Sequence, residues 1–117
     1  MTQRNTQDYL QDILNTIEIA EQFVAGITFT EFQTDQKTIF AVTRAIEVIG
    51  EAAKYIPLAL RNQYAEISWK SITGMRDKLI HAYFGVNLEV LWDTVYQDLQ
   101  ALKPVIEQML KDELHQS

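Results

Sequence analysis

Residues 87–109 read NLEVLWDTVYQDLQALKPVIEQM, and this stretch decides the fold class. Its apolar positions Leu88, Leu91, Val95, Leu99, Leu102, Ile106 and Met109 step by three or four without a break. That period lines one face of a helix, whereas a half-buried strand alternates every second residue. Asn87 stands where a helix cap is needed. Pro104 is expected to kink or interrupt the helix, because proline lacks an N–H and its ring crowds the carbonyl four residues back.

The same period recurs upstream. From Thr6 to Val24, the residues Tyr9, Leu10, Ile13, Ile17, Ala20 and Val24 form one stripe, and Gly26 is a natural stop. The stretch GITFTEFQT at 26–34 reads as a short, partly apolar linker. Thr34 or Asp35 caps a second long helix that continues through IFAVTRAIEVIGEAAKYI at 39–56. Pro57 ends it or opens a short helix near LALRNQYA at 58–65. A further helix is expected across GMRDKLIHAYF at 74–84, with Gly85 near its end. Together these elements predict an all-α, up-and-down bundle of four to five helices, one domain over residues 1–117.

Composition bounds the function. A chain of 117 residues with 47% apolar and 22% charged residues builds one core of soluble type. No run of 18 apolar residues occurs, which predicts no membrane span. The polar start MTQRNTQDYLQD carries no export signal, and the lack of cysteine excludes disulfides, thiolate metal sites and a Cys nucleophile. A cytoplasmic location is the expectation. The net charge of −6 is unevenly spread: −5 over residues 1–35, +3 over 36–85 and −4 over 86–117. A basic middle between acidic ends can host a polyanion locally while limiting long-range attraction.

The familiar catalytic motifs are absent: no Gly-rich phosphate loop, no HExxH and no GxSxG. A helical bundle invites a carboxylate di-metal site, but only Asp112-x-x-His115 approaches the required ExxH, once and at a terminus, so no metal is expected. Glu47 and Glu51 stand four apart on the second long helix, with Arg44 one turn before Glu47, a pattern that also suits a solvated ion-paired face. Gly50 lies among them. Glycine inside a helix costs about 1 kcal/mol relative to alanine, and the close crossing of another helix offsets that cost. Such a crossing brings Glu47 or Glu51 near the site, and Arg44, Glu47 and Glu51 are its expected supporting residues.

The densest chemistry is Arg76-Asp77-Lys78-Leu79-Ile80-His81-Ala82-Tyr83. Arg76 and His81 are separated by about 140° around a helix, whereas Arg76 and Tyr83 nearly eclipse. Asp77, four residues before His81, can orient the imidazole and favour its cation. Arg76 and Tyr83 can meet the same ligand group. A helix end, or a second copy of the motif from a partner subunit, brings the two stripes together. His81 is the one group in the body of the chain suited to proton transfer near neutrality. The competing structural reading has His81 packed at the core edge, with Arg76 and Tyr83 reaching to water.

Read together, R-x4-H-x-Y at 76–83, RAIEVIGEAAKYIP at 44–57, WKSITGMRDKLIHAYFGV at 69–86 and VLWDTVYQDLQALKPVIEQM at 90–109 resemble the HEPN-domain ribonuclease toxins of the HepT type. The resemblance implies the toxin of a type VII-like HEPN/MNT toxin–antitoxin system: a homodimeric, metal-independent endoribonuclease with RNA as substrate and no cofactor. It implies that Arg76 and His81 are catalytic, Asp77 and Tyr83 supporting. It further implies that a cognate minimal nucleotidyltransferase antitoxin neutralises the toxin by AMPylation of Tyr83. The alternative is a non-catalytic HEPN module that holds nucleotide or RNA without cutting it, and a cleavage assay with product-end analysis separates the two.

Overall fold

The computed structural model describes residues 3–75 and 87–116. The described residues contain helices and no strand. The first helix, α1, covers Thr6–Val24 as its apolar stripe predicts, with Leu10, Ile13, Ile17, Ala20 and Val24 buried. A reciprocal cap starts it: Asp8 N donates to Asn5 Oδ1 at 2.9 Å, and Asn5 N donates to Asp8 Oδ2 at 3.0 Å. Gly26, at φ 77°, turns the chain away after Val24, a conformation that suits glycine because it has no Cβ.

The segment read as a linker contains a helix, α2, at Phe29–Gln33. Thr28 and Glu31 cap one another, with Thr28 N to Glu31 Oε1 at 2.9 Å and Glu31 N to Thr28 Oγ1 at 3.1 Å. The single turn buries Phe32 completely. Its ring packs against Phe29 and Trp92, with centroids 6.5 and 5.2 Å away. Burying so large a side chain stabilises the fold by about 1.5–3 kcal/mol, which holds a helix too short to stand alone.

Asp35, not Thr34, caps α3 at Gln36–Lys54, accepting from Thr38 N at 3.1 Å and Thr38 Oγ1 at 2.6 Å. These two bonds stabilise the carboxylate and hold the Asp35 carboxyl below its ordinary range. Pro57 opens α4 at Leu58–Asn62, as expected for a residue with fixed φ and no donor. Ser68 caps α5 at Trp69–Thr73, where the Trp69 indole N–H donates to Tyr64 O at 3.0 Å.

The last span is not one uniform helix. It runs as α6, Leu88–Asp93, then a π turn over Thr94–Asp98, then α7, Leu99–Gln116. The departure from α geometry therefore lies at the π turn, and α7 carries Pro104 inside it. The apolar spacing explains the position of the π turn. Leu91, Val95 and Leu99 step four and four, eight residues where two α turns take about 7.2. A wider turn, in which Leu99 N donates to Thr94 O, absorbs the surplus and keeps all three buried. Burial of Leu102, Ile106 and Met109 carries the helix past the donor lost at Pro104. Asn87 takes the cap position of α6 without a side-chain bond; its carbonyl accepts from Val90 N at 3.0 Å.

Two contacts fix the directions of the long helices. Tyr9 near the start of α1 stacks on Tyr55 at the end of α3, so these helices are antiparallel. Lys103 near the start of α7 pairs with Glu21 near the end of α1 at 3.1 Å, so those are antiparallel too. Both α3 and α7 pack on α1, and α5 packs on α3, consistent with the expected up-and-down bundle. Of the helix expected over 74–84, only Gly74 and Met75 are among the described residues. No described helix is long and apolar enough to cross a membrane.

Candidate functional site

Arg76, Asp77, His81 and Tyr83 lie outside the described residues. The fold on either side of them is described. The chain reaches the motif through α5 and Met75, which is 5% exposed, and leaves it through Asn87 into α6, where Leu91 is 2% exposed. Each side of the motif is thus tied into the core within a few residues. A groove of about 360 Å³ lies between these two anchors. Ser71, Ile72 and Met75 from before the motif and Val90 and Thr94 from after it line the groove, with Ile46 of α3. Its lining combines these apolar side chains with the hydroxyls of Ser71 and Thr94 and the carboxylates of Glu66 and Asp98. Thr94 Oγ1 already donates to Val90 O at 2.7 Å.

The supporting residues read from the sequence fall on α3, and none of them lines that groove. Arg44 Nη1 meets Glu47 Oε2 at 3.4 Å, with the Arg44 side chain 73% exposed. Lys54 Nζ meets Glu51 Oε1 at 3.2 Å. Both pairs join residues of one helix in contact with water, a setting in which such pairs add little stability. Gly50 is buried in α3, the helix packed by both α1 and α5.

Asp112, the acid of the lone D-x-x-H pair, has its own partners. It accepts from Tyr64 Oη through Oδ2 and from Gln108 Nε2 through Oδ1, the latter at 2.8 Å. The bond to the carboxylate pushes the Tyr64 phenol up to about 12, and the same bond holds the Asp112 carboxyl below its ordinary range. Asp112 thereby ties α7 to the segment between α4 and α5. Among the described residues no three His, Cys, Asp or Glu side chains converge on a common point.

The structure also assembles an array that no local pattern announces. The rings of Tyr9 and Tyr55 are 4.8 Å apart and nearly parallel, at 8°. The Arg4 guanidinium lies over the Tyr9 ring, 4.9 Å from its centroid, and pairs with Asp12. Tyr55 is 63% exposed despite the stack. The two tyrosines stand 46 residues apart in the chain, so only the antiparallel pairing of α1 with α3 brings them together.

Comparison with known proteins places this geometry in context. The family described as "Ribonuclease HepT-like" matches residues 13–109, a range that encloses the motif segment. A protein of Thermococcus cleftensis named "Probable ribonuclease HepT" is 50% identical over 108 residues, covering 92% of this chain and 98% of its own. A candidate RNase of Caldanaerobacter subterraneus subsp. tengcongensis is 38% identical over 110 residues, covering 94% of this chain and 98% of its own. One of Methanocaldococcus jannaschii is 41% identical over 112 residues, covering 96% and 93%. No solved structure matches the chain at a significant level.

Proposed function

The chain belongs to the HepT-like ribonuclease family, and from that premise we propose that it is a metal-independent endoribonuclease, the toxin of a HEPN/MNT toxin–antitoxin pair. The observation that carries this reading is the Arg76-x4-His81-x-Tyr83 pattern inside the matched range. RNA supplies its own nucleophile, the ribose 2′-OH, so the reaction needs a base, an acid and a cation on the phosphate. The 2′-oxygen attacks phosphorus and loses its proton to the base, the bond from phosphorus to the 5′-oxygen breaks, and the acid protonates that oxygen. His81 performs proton transfer. Arg76 binds the scissile phosphate and stabilises the charge that develops there. Asp77 orients His81, and Tyr83 contacts the phosphate or a base.

One subunit supplies one such histidine. The acid and base are therefore the two His81 copies of a homodimer, or His81 and water. A cleft shared by two subunits also removes the difficulty that a five-residue spacing, as from Arg76 to His81, corresponds to about 140° around a helix. Sedimentation equilibrium at micromolar concentration is expected to give the mass of a dimer; a strict monomer that cleaves RNA overturns the shared cleft.

The test of the reaction is cleavage of single-stranded RNA in EDTA, followed by analysis of the product ends. Cutting is expected to persist and to leave 2′,3′-cyclic phosphates and 5′-hydroxyls. Activity lost with the chelator and restored by Mg²⁺, or 3′-hydroxyl products, overturns the mechanism.

A further inference from the structure

We propose that the open face of Tyr55 is a stacking platform for an unpaired RNA base, additional to the Arg76-x4-His81 motif. This rests on the ribonuclease reading above and names a place where the substrate is held.

The stack itself comes first. Tyr9 covers one face of the Tyr55 ring, in near-parallel contact at 4.8 Å. A ring covered on one side and still 63% exposed has its other side in water. The Arg4 guanidinium also lies over the Tyr9 ring, 4.9 Å from its centroid. Tyr55 is held in orientation by its backing, so a flat ligand finds a surface whose rotational freedom is already restricted. Single-stranded nucleic acids are bound in this way, by aromatic rings that accept any base because every base has a π face.

Cations stand near the ring, where the phosphates of a strand can reach them. Lys54 adjoins Tyr55 on α3, its side chain 47% exposed. Arg61 reaches back to the neighbouring Ile56, donating Nε–H to its carbonyl at 3.0 Å. Arg44 lies eleven residues before Tyr55, which places it about 20° away around α3 and about 16 Å along it. Lys54 flanks Tyr55 about 100° around the helix, and a strand running from Tyr55 along α3 passes Glu51, which is paired with Lys54, before it reaches Arg44. The intervening carboxylates Glu47 and Glu51 are each paired with one of these cations. The two cations and two carboxylates of this stripe cancel, within the basic middle of an otherwise acidic chain.

The experiment uses the full chain and a 12-nucleotide, 2′-O-methyl single strand, which 2′-OH attack cannot cut, with 2-aminopurine placed in turn at each interior position. Stacking on the ring quenches that base. At one position or more, the wild-type protein is expected to quench it, Tyr55→Phe to keep the quench, and Tyr55→Ala to lose it with affinity reduced about tenfold. A duplex of the same sequence should not respond. On cleavable RNA, Tyr55→Ala is expected to raise KM by more than it lowers kcat. Far-UV circular dichroism monitors folding of both variants. If wild type binds and cuts RNA while Tyr55→Ala matches it in affinity and quench, the platform is overturned and the ribonuclease reading stands. The platform is likewise overturned if Tyr55→Ala instead weakens subunit or partner-protein association without changing RNA affinity. If wild type neither binds nor cuts any RNA tested, both are overturned.

Discussion

His81→Ala is expected to abolish RNA cleavage while leaving the helical content of the protein unchanged, the first measured by product formation and the second by far-UV circular dichroism. The expectation follows from the scarcity of proton carriers. The chain has two histidines, and His115 stands exposed in the last turn of α7, far along the sequence from the motif. Free imidazole should restore part of the rate to His81→Ala, because it replaces a missing proton carrier but not a missing packing group. Arg76→Ala is expected to lower kcat by about 10²-fold or more, as removal of one preorganised donor does at other sites that stabilise developing charge. Cleavage by His81→Ala at the wild-type rate overturns the assignment. A variant that loses both activity and helical signal marks His81 as a packing residue instead.

The long elements are legible in the sequence because each repeats one signal many times. The stripe from Tyr9 to Val24 fixes α1 at both ends, since Asn5 and Asp8 cap one end and Gly26 turns the other. Single events are harder to read. Helix α2 has a reciprocal Thr28–Glu31 cap, a pattern readable as T-x-x-E, yet its one turn is too short to show a period. Pro104 is a helix breaker by type, but tertiary burial outweighs a local preference, and the irregularity falls where the apolar steps run four and four. The Tyr9–Tyr55 stack is invisible in the sequence for another reason: it depends on pairing two antiparallel helices, which no local window contains. For the site, the sequence supplies the chemistry of Arg76, Asp77, His81 and Tyr83, while the fold describes the anchors on either side, Met75 and Leu91.

Co-expression with the proposed nucleotidyltransferase antitoxin is expected to add one or more AMP units to Tyr83 and to silence cleavage. In the proposed step the Tyr83 phenol oxygen attacks the α-phosphorus of ATP, the bond to the β-phosphate oxygen breaks, and pyrophosphate leaves with its charge while the phenol proton passes to solvent or to a base of the transferase. The product carries an anionic phosphodiester. Tyr83 follows Arg76 by seven residues, a spacing that nearly eclipses on a helix. An AMP there can pair with the Arg76 guanidinium and exclude an RNA phosphate by both charge and bulk. Intact-protein mass spectrometry reads the number of AMP units, and peptide mapping reads the position. Tyr83→Phe has no oxygen to modify and is expected to escape the adduct; its cleavage, somewhat reduced if the hydroxyl touches RNA, should then resist the partner. An adduct on another residue, or full inhibition of an active Tyr83→Phe by the unmodifying partner, replaces covalent silencing with simple occlusion of the cleft.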